Sequence, residues 1–294
     1  MVAPFFKIFK MLQARWDMGA RICVRLDSDR ARLPTCVSGD QLAFNKAIVD
    51  ATHRFALAYK PNIAFYVTNK EREALQATIE YIRDVAPDVP VILDFKRGDI
   101  GNTNNGYVRE IRLFKAHGAT INPYFSMQAA YPFLLLNDVG IFVVCRTSDP
   151  IADTLQDMQV LPHPEDALRW GIPEGETIPL YQRVAYEVAR EWHTVSANCA
   201  LVVGATTPKP LAAVRRIIGD DMWMLAPGIG AQGGNLHETL QHGCNARGSG
   251  LVVSSSRGII FASDKEDFAE AAGRETSRLT AESNAILASL APYP

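Results

Sequence analysis

Short runs of β-branched and aliphatic residues recur along the chain, separated by longer stretches whose apolar positions fall three and four apart. The short runs are residues 21–27 (RICVRLD), 55–60 (FALAYK), 89–96 (VPVILDFK), 118–122 (GATIN), 140–146 (GIFVVCR), 198–205 (NCALVVGA), 222–228 (MWMLAPG) and 250–256 (GLVVSSS). Between them, stretches such as NKEREALQATIEYIRDVA and YQRVAYEVAREWH set charges opposite an apolar stripe, as crossover helices do. Eight strands alternating with helices predict parallel pairing and an α/β fold of the (β/α)8 TIM-barrel type, built as a single domain. The first 20 or so residues have aromatic positions at helical spacing and predict an amphipathic helix packed under the barrel floor. Residues 149–179 break the rhythm with five prolines and many acids after the fifth strand, which predicts a long insertion, either a lid or a plain surface loop.

The chain's 294 residues suit this reading, because α/β barrels of about 250 residues commonly form one domain. A composition 48% hydrophobic and 21% charged, with a net charge of -2, fits a globular enzyme and leaves no basic footprint for nucleic acid. No run approaches the roughly 20 apolar residues of a membrane span, and no signal-peptide stretch is legible. Five widely spaced cysteines give neither a disulfide framework nor a zinc pattern, and a reducing cytoplasm is expected.

In such barrels the chemistry lies at the carboxyl ends of the strands, where the βα loops converge. The polar residues there are Asp27, Lys60, Asp94 with Lys96, Asn122, Thr147 with Ser148, Thr206 with Thr207, the loop PGIGAQGG that opens at Pro227 and contains Gln232, and SSSRGI with Arg257. Strand alternation puts Asp94 and Lys96 on one face, toward the mouth. In a partly dry pocket each favours the ionised form of the other. Lys60 on the neighbouring strand would sit beside Asp94, so an alternating array of Lys60, Asp94, Lys96 and Asp99 is expected. D-x-K-x-x-D is also the pattern of a structural ion-pair network, and its place at a strand end favours the catalytic reading. Arg25 shares the inward face with Asp27 and needs a carboxylate partner or a locally widened barrel. The glycine-rich loop and Arg257 follow the seventh and eighth strands, where these barrels frequently bind phosphate through backbone N–H groups and a cation. No histidine falls at a strand end, and no metal-ligand spacing is present, so no metal is expected.

The segments RLDSD, LAYKPNIAFY, LDFKRGDIGNT, CRTSDP, PGIGAQGG and SRGI, in this order, resemble the orotidine 5'-phosphate decarboxylase family, in its longer bacterial (type 2) form. The resemblance implies a homodimeric barrel that converts orotidine monophosphate (OMP) to UMP and CO2 in pyrimidine synthesis, without cofactor or metal. It implies Lys96 as proton donor to C6 of the pyrimidine and Asp94 as the carboxylate facing the departing group. Lys60 and Asp27 would hold the ribose hydroxyls, and Asp99, Ile100 and Thr103 would reach the partner subunit's site. Ser148 would bond the pyrimidine edge, Pro227 would line the site, and Gln232 and Arg257 would grip the phosphate. Two positions depart from the family pattern: Arg25 stands where a small residue is usual, and Ser28 where proline is common. The rival expectations are a magnesium-dependent keto-sugar-phosphate decarboxylase on the same barrel, which carries a glutamate where this chain has Lys60, and a barrel that binds a nucleotide without turning it over.

Overall fold

The computed structural model describes residues 7–230 and 233–290. In chain order its strands are β1 (Ile22–Leu26), β2 (Ala56–Pro61), β3 (Ile92–Arg97), β4 (Gly118–Ile121), β5 (Gly140–Arg146), β6 (Gln159–Val160), β7 (Ile178–Pro179), β8 (Cys199–Val203), β9 (Met224–Pro227) and β10 (Leu251–Ser255). β1–β5 and β8–β10 form one parallel sheet in the order β2-β1-β10-β9-β8-β5-β4-β3. The ends of that order meet through parallel bridges Tyr59 to Val91 and Asn62 to Asp94, so the sheet curls into a nearly closed barrel. The eight runs read from the sequence are these eight strands, with ends that differ by no more than three residues; β5 keeps its bounds, and β2 and β3 each run one residue further. Fraying of this size is expected where the ladder gives way to a turn.

The helices between the strands are set by local chemistry. Asp40 caps the helix Gln41–Thr52 by accepting from the amides of Leu42 and Ala43, and Thr68 with Glu71 forms a reciprocal capping box at the head of Asn69–Val85. The helix Pro208–Ile218 begins with proline, whose missing N–H costs nothing in a first turn. The final helix, Phe268–Leu290, packs on Gln41–Thr52 and buries Phe268, Ala272, Leu279 and Leu287. None of the described helices is long and apolar enough to cross a membrane.

The amphipathic helix expected at the start is Lys7–Asp17; residues 1–6 lie outside the described residues. It seats under the barrel floor with Ile8, Phe9, Leu12 and Trp16 buried. Arg15 is buried as well, and its guanidinium donates to the carbonyls of His53, Arg54 and Ala56 and to Asp88. Those carbonyls precede or open β2, and a planar five-donor cation reaches several of them at once.

Residues 149–179 are an ordered insertion rather than an open loop. A short helix Asp153–Gln156, β6, the helix Pro164–Trp170 and β7 follow one another, and β6 and β7 pair antiparallel. The insertion has its own small core of Ala167, Trp170, Ile172 and Ile178. Trp170 stacks on Tyr186 of the following helix at 5.5 Å, which ties the insertion back to the barrel.

The close approach of the floor helix depends on glycines opening β4 and β5. A Cβ on Gly140 would stand 2.5 Å from Ile8 Cγ2, and one on Gly118 would stand 2.7 Å from Ile8 Cδ1. We expect Gly140→Ala to displace the helix and destabilise the fold by about 1–3 kcal/mol, read as a lower denaturant midpoint. An unchanged midpoint would mean that the helix does not bear on β5.

Candidate active site

The mouth of the barrel is built around one carboxylate. Asp94 on β3 is 3% exposed and accepts from two ammonium groups, Lys60 on β2 and Lys96 on β3, the latter at 2.5 Å. Thr120 Oγ1 on β4 donates to the same carboxylate at 3.1 Å. Burial pushes the Asp94 carboxyl up, but the two lysines pull harder, and the balance holds it well below the usual carboxylate range. Burial likewise pulls Lys60 below the ordinary ammonium range while Asp94 pushes it back.

Lys96 reaches Asp94 by a different route from the alternation expected of a regular strand. The β3–β4 register shifts between Leu93 and Arg97, and Lys96 has φ +44°, a left-handed conformation uncommon for a non-glycine residue. Thr120 Oγ1 accepts from the amides of Phe95 and Lys96, in place of the ladder partners those groups lose. Thr120 therefore holds both the carboxylate and the bulge that turns Lys96 toward it. Backbone strain of this kind concentrates at functional sites. A single threonine in an otherwise apolar run gave no sequence signal of that task.

The remaining expected residues divide into those the fold brings to this cluster and those it does not. Asp27 is buried and meets Arg25 Nη2 at 2.8 Å and Ser256 Oγ at 2.8 Å. Arg25 has thus found its carboxylate partner and also lies 3.9 Å from Asp94. Ser28, the other departure, is fully buried and donates to Asn45. Ser148 and Pro227 line a cavity of about 190 Å3 together with Lys60, Asp94, Lys96 and Thr120. Arg257 lies in a second cavity of about 320 Å3 that Arg25, Asp27, Gly228 and Ser256 also line. Gln232 lies outside the described residues.

Asp99 does not join the array within its own chain. Its carboxylate accepts from the Ile100 amide at 2.7 Å, and among the described residues it pairs with no lysine. Ile100 is 66% exposed and Thr103 is exposed, both at the start of the helix Gly101–Leu113. The chain's own array is therefore Lys60, Asp94 and Lys96, with Arg25 and Asp27 beside it. Arg97 is structural: it pairs with Glu110 at 3.5 Å and lies over the ring of Tyr107.

Ser148 is positioned from two sides. A Cβ on Gly204 would fall 2.7 Å from the Ser148 nitrogen, so only glycine lets the backbone after β5 lie against the end of β8. From the other side, Arg146 is buried and bonds both oxygens of Asp157 in the insertion, at 2.7 and 3.1 Å. The Thr147 amide donates to Gln156 of the same insertion. The insertion thus clamps the strand end that carries Ser148. Sequence reading flagged the insertion and missed Asp157 and Gln156, because nothing local marks them out from the other polar residues around them.

The histidines take no part in the cluster. His117 is buried, accepts from the Val91 amide, and is pushed down to about 4 by burial and by nearby Arg83 and Lys7, which leaves it neutral. Among the described residues no group of three His, Cys, Asp or Glu side chains could hold a metal ion.

A family model described as orotidine 5'-phosphate decarboxylase / HUMPS matches residues 20–272. The chain is 42% identical over 267 residues to an orotidine 5'-phosphate decarboxylase of Bordetella avium, covering 90% of this chain and 93% of that one. It is similar to the solved structure of Leishmania donovani OMP decarboxylase, with a TM-score of 0.78 at 32% identity, covering 95% of this chain and 98% of that chain. A solved Leishmania donovani UMP synthase gives a TM-score of 0.80 at 33% identity, and the match spans 96% of this chain but 57% of that longer one.

Removing the Asp94 charge tests the cluster as an electrostatic unit. Asp94→Asn leaves buried Lys60 without its counter-ion and should cost about 3 kcal/mol. The native carboxyl titrates below its ordinary value of 3.8. Its contribution is therefore complete above about pH 4 and is lost as pH falls further. The stability gap between wild type and Asp94→Asn should be flat from about pH 7 to 5 and close below about 4; a gap that closes near pH 6 would contradict the depressed carboxyl.

Proposed function

The chain belongs to the orotidine 5'-phosphate decarboxylase / HUMPS family, and from that membership we propose that it decarboxylates OMP to UMP and CO2. The observation that carries the reading is the convergence of Lys60, Asp94 and Lys96 at one end of a cavity whose wall also holds Ser148 and Pro227.

The chemistry requires such an arrangement. When the C6–carboxylate bond breaks, its electron pair stays on C6, and the pyrimidine ring delocalises it poorly. A fixed ammonium beside C6 gains interaction energy as that charge develops, which lowers the barrier more than it strengthens ground-state binding. Lys96 is that ammonium in this reading; it then gives its proton to C6 and recovers one from solvent. Asp94, held ionised by Lys60, faces the substrate carboxylate and is relieved when neutral CO2 leaves. The acceleration such a reaction needs is on the order of 20 kcal/mol, more than one lysine supplies. Contacts distant from C6 must contribute: Asp27 and Lys60 at the ribose, Ser148 at the base, and Arg257 with Gln232 and the loop after Pro227 at the phosphate.

The reading extends to a homodimer in which Asp99, Ile100 and Thr103 complete the partner's site. Exposure of Ile100 and, among the described residues, the absence of an intrachain lysine partner for Asp99 support this. So does an open cavity of about 440 Å3 beside Asp94 and Lys96, lined by Ile63, Val67, Arg72 and Arg97, which has room for a loop from a second copy. A metal-dependent reaction on the same barrel is disfavoured by Lys60, whose ammonium would repel a divalent ion at the end of β2.

Purified protein should bleach the ultraviolet absorbance of OMP, with EDTA causing no loss, and Lys96→Ala should lower the rate at least about 10³-fold. Folded protein that leaves OMP unchanged sinks the reading, and activity abolished by EDTA shifts it to the metal-dependent sister reaction. Mixing inactive Lys96→Ala with inactive Asp99→Ala should restore about a quarter of wild-type activity after random exchange, since each mixed dimer has one intact site. No recovery after demonstrated subunit exchange would overturn the shared site.

A further inference from the structure

The two cavities at the mouth share one side chain, Arg25. One cavity holds the Lys60, Asp94 and Lys96 cluster, the other holds Arg257, and Arg25 stands between them. Its Nη2 is committed to Asp27 Oδ2, which Ser256 Oγ also reaches. Among the described residues, two buried atoms of this pair have no hydrogen-bond partner: Arg25 Nε, a donor, and Asp27 Oδ1, an acceptor. The side chains that carry them are 18% and 9% exposed. A buried donor and acceptor left without partners are costly, and here they belong to two residues that line a cavity, which points to what that cavity takes.

The chemistry of the missing partner is narrow. It must accept from Nε–H and donate to a carboxylate. A phosphate dianion accepts but has no proton to give and would be repelled by Asp27; an amine donates and would be repelled by Arg25. A hydroxyl does both, as does a water that a ligand hydroxyl can replace. Its place, between an anion-binding end and a base-binding end, is where the sugar of a nucleotide lies.

We propose that Arg25 is a specificity-determining residue that reads a sugar hydroxyl of the substrate through Nε, in concert with Asp27. This rests on the nucleotide reading above. Arg25 does more than neutralise Asp27, since its Nη2 alone provides the neutralising contact and Nε has no partner among the described residues. The guanidinium fork makes this possible, because it presents donors in two directions from one rigid plane, which a lysine ammonium does not.

The experiment compares UMP with 2'-deoxy-UMP and 3'-deoxy-UMP as ligands of wild type, Arg25→Ala and Arg25→Lys, by calorimetry or by inhibition of OMP turnover. Wild type should prefer UMP over at least one deoxynucleotide by about tenfold or more, the worth of a hydrogen bond to a charged group. That preference should fall about tenfold in both variants, because lysine keeps the charge and loses Nε. A merely structural role would weaken all three ligands together and leave the ratio intact, which overturns the proposal. A ratio retained in Arg25→Lys overturns it too, by assigning the effect to charge, and tighter UMP binding by Arg25→Ala would make Arg25 an obstruction. These failures are distinct from failure of the functional reading, in which wild type neither turns over OMP nor binds UMP; that outcome overturns both.

Discussion

A carboxylate buried to 3% exposure cannot persist alone, and the architecture of the barrel mouth follows from how Asp94 is compensated. Two ammonium groups and a threonine hydroxyl converge on it from three adjacent strands. For Lys96 to take part, β3 must give up its regular register and adopt a left-handed residue. Thr120 satisfies the amides that this releases. The strain, the irregular pairing and the hydroxyl are thus a single device, and Asp94 is its centre. The same cluster keeps a carboxylate ionised in a dry place.

The surrounding elements differ in how firmly they are held. β1 to β4 carry the charges on a ladder with an ordered floor, where Arg15 binds the carbonyls around the start of β2 and Ile8 fills the space left by Gly118 and Gly140. At the far side, Ser148 is fixed by the absence of a side chain at Gly204 and by the Arg146–Asp157 and Thr147–Gln156 contacts to the insertion. An insertion that the sequence leaves as either a lid or a plain surface loop is joined to the rim by a bidentate ion pair whose arginine is buried. This bond makes the segment a brace for the strand end that carries Ser148, and its helices and hairpin keep their own small core.

The barrel itself was legible in the chain. Eight apolar runs separated by amphipathic stretches became eight parallel strands, because both periodicities are local properties that survive folding. The positions of Asp27, Lys60, Asp94, Ser148, Pro227 and Arg257 were legible for the same reason, since the carboxyl end of a parallel strand faces the mouth whatever its neighbours do. What each charge touches was decided only by closure. Arg25 pairs with Asp27 and approaches Asp94; Asp99 stays apart from the lysines of its own chain; Arg97 turns out to Glu110 and Tyr107. Thr120, Ser256 and Asp157 entered the site although nothing in their sequence context distinguished them. Residue type and strand phase are written along the chain, whereas ion pairs, bulges and braces depend on distances between segments far apart in sequence, and only the closed barrel sets those.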